Sequence, residues 1–242
     1  FMSKLHFLVE EYSHLCFLET QSYINAILLF FVGLHKISEW RIGIPLIFLG
    51  TKDLLQGFLY KYLNNSKLLN FYSILSWVHL CFQPLFVNIF GSYFDINLVN
   101  KNDTKSKEKT KKFWYIVYFI NIAYAIAALF SLKDINKFKN DCMGNAANNY
   151  CQKETSSYMG KYHIAYQFNL NNNKFLFEII YKLLYIIPGI FSRSSLLYIL
   201  WFIFFYIIFK ISKILKLRNG EASAIWCFMS IIFGIPVALF SK

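Results

Sequence analysis

The stretch LLNFYSILSWVHLCFQPLFVNIF, Leu68 to Phe90, decides the fold: it runs 23 residues without an Asp, Glu, Lys or Arg. At about 1.5 Å per residue, a helix of this length crosses the roughly 30 Å hydrocarbon core of a bilayer. On a helical wheel Tyr72, Ser76, His79 and Gln83 fall at i, i+4, i+7 and i+11, one polar stripe on an otherwise apolar rod. Polar groups in lipid are costly unless they meet partners or line a wet cavity, so the stripe should face other spans. Pro84 removes one backbone donor beside Gln83 and should kink the helix there.

Composition extends this reading to the whole chain. Hydrophobic residues make up 57% of the 242 positions and charged residues 16%, well below the quarter or so usual in soluble domains. About seven spans and their connections would use nearly all of the length, as a single transmembrane domain over residues 1–242. The expected class is therefore all-α, a polytopic integral membrane helical bundle of seven spans, with six as the alternative. The formal charge of +12 could suggest nucleic acid, but most of the lysine lies between or beside the spans. Membrane lipids, with anionic headgroups at the basic loops, are the simpler partners, together with other proteins in the membrane; no nucleic acid is expected.

Upstream, residues 1–15 mix Lys4, Glu10 and Glu11 with Leu5, Phe7, Leu8 and Val9 and read as an interfacial segment. Glu10 and Glu11 interrupt any apolar run that a cleavable signal would need. The first span is read over Cys16 to Leu34, its early turns polar at Glu19, Thr20, Gln21, Ser22 and Asn25. The second, Trp40 to Tyr60, carries Asp53, Gln56 and Tyr60 on one face, with Lys52 about 100° away and able to snorkel. An acid at that depth marks a cation, proton or ligand site by default, with a headgroup-level acid as the bland alternative.

Downstream, KNDTKSKEKTKK (101–112) reads as a polybasic cytoplasmic loop obeying the positive-inside rule. The fourth span, Phe113 to Leu132, offers Asn121, Tyr124, Ala125 and Ala128 as a small, polar packing surface. A long extramembrane loop, 133–174, then holds Cys142 and Cys151, whose eight-residue interval suits a disulfide better than zinc. A disulfide would put this loop on the oxidising side, opposite the polybasic loop. Phe175 to Phe191 is either a short span or an interfacial helix, since Glu178 and Lys182 interrupt it and Pro188-Gly189 ends its apolar run. Leu196 to Ile214 is a span. A last one follows Asn219-Gly220-Glu221, with Ser223, Cys227, Ser230 and Gly234 along one side.

Cys16-Phe17-Leu18-Glu19-Thr20-Gln21-Ser22 resembles the Cys-Phe-Ser-x-Thr-x-Ser opening of a group of uncharacterised multi-pass membrane proteins. Gln56-Gly57, Phe82-Gln83-Pro84 and Trp226-Cys227-Phe228 are similar to motifs in the second, third and last helices of the same group. That resemblance implies a compact seven-helix fold and no known activity.

The sequence holds no phosphate-cradling glycine loop, no His-Glu-x-x-His and no Ser-x-x-Lys or Gly-x-Ser-x-Gly. The final span has no Lys for a retinal Schiff base. No cofactor, metal or catalytic residue is expected, and the chain leans away from being an enzyme. The favoured reading is a carrier, channel or small-ligand receptor whose site is built from Asp53, Gln56, His79, Gln83 and Glu221. A structural or accessory subunit with a dry, paired interior is the alternative. A lipid-acting enzyme using His79 as base is the third.

Overall fold

The computed structural model describes residues 19–100, 102–132, 151–159, 164–169 and 174–192. Five helices and one hairpin lie within them: α1 (Glu19–His35), α2 (Trp40–Lys61), α3 (Ser66–Asn97), α4 (Thr104–Leu129), β1 (Cys151–Met159), β2 (Ile164–Asn169) and α5 (Lys174–Phe191). α2, α3 and α4 are each long and apolar enough to cross a bilayer, consistent with an integral membrane protein. The spans expected over Leu196–Ile214 and after Glu221 lie outside the described residues, so five helices stand against the expected seven. Residues 1–15 also lie outside them.

α3 is the hub. It packs against α2, α4, α5 and both strands, whereas α1 packs chiefly on α2. Trp77 and Cys81 of α3 meet Tyr124, Ala125 and Ala128 of α4 and Leu184 of α5. Farther along, Leu85, Ile89 and Ile96 meet Trp114, Val117 and Tyr118. The four α4 residues expected to pack, Asn121, Tyr124, Ala125 and Ala128, are all buried.

The α1–α2 pair is built on glycine. Gly43, Gly50 and Gly57 recur every seven residues on α2, which keeps one side of a helix in register with its neighbour. A Cβ on Gly43 would stand 2.6 Å from the Gly33 carbonyl oxygen, and one on Gly57 would stand 2.6 Å from the Tyr23 ring. Leu29 and Val32 of α1 close the seam against Ile42 and Leu46. In lipid, where apolar burial supplies little drive, such close approach is how helices gain contact.

Three expectations need correction. α3 continues seven residues past Phe90, through Gly91 and Ser92 to Asn97, because the polar side chains that suggest an ending are satisfied by α4. The segment read as a polybasic loop is helical from Thr104. Asp103 caps it, its carboxylate accepting from Ser106 N at 2.9 Å, and Lys112 pairs with Glu108 at i, i+4. Within the segment read as a long loop, an antiparallel hairpin pairs β1 with β2, with a register shift between Cys151 and Ser156, a local addition to a helical fold. Alternating side chains let the hairpin bury Ile164 with Leu59 and Leu69, and Ser157 Oγ lies 2.7 Å from Ser73 Oγ. Cys151 begins β1; Cys142, its expected disulfide partner, lies outside the described residues.

Helix direction alternates along α1–α4, so the α1–α2 turn and the α3–α4 connection share one end of the bundle. That end carries Lys36, Arg41 and the lysines of Lys105–Lys112. The hairpin docks at the other, beside the α2–α3 turn.

Candidate functional site

The interior of the bundle is polar along α3, at Ser73, His79, Asn88, Ser92 and Asp95, all buried. His79 sits on the face toward α2. Its Nε2 lies 2.8 Å from the Phe48 carbonyl oxygen; a carbonyl can only accept, so the proton is on Nε2. The same oxygen accepts from Thr51 Oγ1 at 2.6 Å. The Phe48 ring is held between His79 and Phe86, with both centroids 3.8 Å away and the planes within 17°. His79 and Phe86 are seven residues apart on α3, so Phe48 enters a hole two turns deep.

Nearer the lysine-rich end the polar chemistry faces α4. Asn88 uses both amide hydrogens, on Asn121 Oδ1 at 3.3 Å and on the Leu184 carbonyl at 2.9 Å, tying three helices together. Asn121 in turn donates to the Val117 carbonyl at 2.7 Å. Tyr118 donates to Ser92, which donates to the Ile89 carbonyl at 2.6 Å; Arg41 of α2 also acts on the Tyr118 hydroxyl. Trp114 Nε1 donates to Asp95 Oδ2 at 2.7 Å. On the α5 side, Tyr185 donates to Tyr181 at 3.1 Å and Tyr181 to Gln83 Oε1 at 3.3 Å.

The site expected from sequence is thus dispersed. Asp53 and Gln56 are buried on α2, 4% and 2% exposed. His79 is buried against α2, whereas Gln83 is half-buried and bonded toward α5. Glu221 lies outside the described residues. Among the described residues, no three His, Cys, Asp or Glu side chains converge as metal ligands.

Asn88, Ser92, Asp95, Trp114 and Tyr118 are the residues that sequence reading missed. Their signal was present: Asn88, Ser92 and Asp95 fall at i, i+4 and i+7 and continue the buried line of Trp77, Cys81 and Pro84. Reading the helix end at Phe90 cut that line off.

Compared with known families, the chain matches a family of unknown function (DUF5765) over residues 26–240. It belongs to the DUF5765 family. No curated protein and no solved structure matches it. The DUF5765 match begins within α1 and takes in all of α2–α5, so the hairpin and the α3–α4 polar ladder both lie inside the family region. The Cys16–Ser22 motif precedes it, whereas Gln56-Gly57, Phe82–Pro84 and Trp226–Phe228 fall within it.

Proposed function

We propose that this chain is a structural or accessory subunit of a membrane assembly, a helical scaffold whose buried polar side chains fix helix register. The observation that carries the reading is how those side chains are used. His79 gives its Nε2 proton to a backbone carbonyl, Asn88 commits both amide hydrogens, and Tyr118 and Trp114 donate to Ser92 and Asp95. A proton or ion path needs groups that turn toward water; these donors turn toward protein. In this reading the positive-inside rule puts the lysine-rich end in the cytoplasm. The test is ion flux in proteoliposomes loaded with a pH-sensitive dye. The scaffold reading expects decay of a pH gradient at the rate of empty liposomes. A faster decay that His79→Leu abolishes would restore the carrier.

A second reading rests on a different observation, the depth of Asp53 and Gln56. An ionisable group buried in a membrane bundle is expensive to keep. Together with His79, Gln83 and Glu221, Asp53 would bind a cation or small polar ligand. Under that reading Asp53→Asn removes cation-dependent stabilisation of the protein. Under the scaffold reading the variant melts at a temperature that added cation moves no less than in the natural chain.

A further inference from the structure

α4 runs 26 residues, about 39 Å, and so exceeds the roughly 30 Å hydrocarbon core. With its apolar part in the membrane, its first turns stand at headgroup height. The lysines of those turns divide by face: Lys105, Lys109 and Lys112 are exposed at i, i+4 and i+7, while Lys107 and Lys111 are half-buried. Extending the same four-then-three spacing down the helix from Lys112 leads to Ile116, Phe119, Ala123, Ile126 and Phe130, all exposed. Phe119 and Phe130 are 73% and 81% exposed. The cationic stripe and the apolar stripe are therefore one continuous face, opposite the face that Trp114, Val117, Asn121 and Ala125 pack on the rest of the bundle. Tyr115 stands exposed at the junction, the level at which interfacial aromatics collect.

We propose that this outer face of α4 is a binding site for an anionic phospholipid. Lys105, Lys109 and Lys112 hold the headgroup phosphate, and Ile116, Phe119, Ala123 and Ile126 lie along an acyl chain. A basic turn that merely solvates the helix end has no reason to be in phase with the lipid-facing stripe. A soluble anion has no use for the apolar continuation. Three like charges within two turns also repel one another, and a phosphate relieves that repulsion. Glu108 is on the same side and pairs with Lys112 at 3.0 Å, but both side chains are about 70% exposed. Exposed pairs contribute little, so a phosphate can displace the carboxylate.

The test reconstitutes the full chain in phosphatidylcholine bilayers and compares spin-labelled phosphatidylglycerol with spin-labelled phosphatidylcholine in the motionally restricted fraction. The expected result is a preference for phosphatidylglycerol that falls as salt is raised. It should drop by up to about fivefold for each exposed lysine removed at low salt, reaching the phosphatidylcholine level in K105Q/K109Q/K112Q. The single K109Q, confined to an exposed turn, gives the partial loss should the triple variant fold poorly. K107Q/K111Q removes charge from the other face and retains the preference. No preference in the natural chain overturns the proposal, and so does an equal loss from the Lys107 and Lys111 pair.

Discussion

The α1–α2 and α3–α4 pairs solve the same problem by opposite means. α1 and α2 approach until backbone meets backbone at Gly33 and Gly43. α3 and α4 stay far enough apart for Trp114, Tyr118 and Asn121 to reach across to Asp95, Ser92 and Asn88. In water both seams would be driven by apolar burial. In lipid that drive is nearly absent, leaving van der Waals contact for one pair and hydrogen bonds for the other. The contrast teaches that polar residues inside this bundle act as fasteners where glycine does not bring the backbones together.

The largest expected effect breaks the glycine seam. Gly43→Leu puts a side chain where its first carbon already stands 2.6 Å from a backbone oxygen that cannot turn aside. It should cost about 3 kcal/mol or more and separate α1 from α2, read by reversible unfolding in lipid and by loss of a cross-link between the two helices. Gly50→Ala is milder, because its nearest neighbour is the Phe30 ring at 3.0 Å, which can shift.

Next comes the polar seam. Asn88→Leu leaves Asn121 Oδ1 and the Leu184 carbonyl without the bonds that Asn88 gives them. About 1–2 kcal/mol should be lost, with α5 released more than α1, a difference that hydrogen exchange resolves helix by helix. His79→Leu removes one bond to a carbonyl that keeps Thr51, and a stacked ring. A loss of about 1 kcal/mol is expected, in stability and without a change in ion leak.

These same seams explain how much could be read in advance. The apolar core of every described helix is legible because long apolar runs leave few alternatives, but the bounds are close only for α1, α2 and α5, while α3 and α4 extend well beyond their apolar runs. The Asn121, Tyr124, Ala125 and Ala128 surface was legible from residue size. What escaped depended on partners distant in sequence: Asp95 looks like the end of a span until Trp114, 19 residues on, donates to it. The stripe Tyr72, Ser76, His79 and Gln83 was correct as a spacing, yet its members divide between neighbours. His79 bonds α2, Gln83 meets α5, and Ser76 returns to the Tyr72 carbonyl of its own helix at 2.8 Å. Periodicity identifies a face but not what lies against it.

The smallest expected effect is at the caps. Asp103→Ala removes the acceptor for Ser106 N and should cost about 1 kcal/mol or less. It frays the lysine-bearing turn while leaving both seams intact, seen as faster exchange confined to the start of α4.

The most direct test of the central claim, that buried polar pairs fasten the bundle, is a double-mutant cycle on Asn88 and Asn121 measured by unfolding in lipid bilayers. The fastener account predicts that Asn88→Leu and Asn121→Leu are non-additive, with a coupling of about 0.6–1.7 kcal/mol. Strict additivity, with each leucine neutral or stabilising, would contradict it and would mean that these amides face water rather than each other.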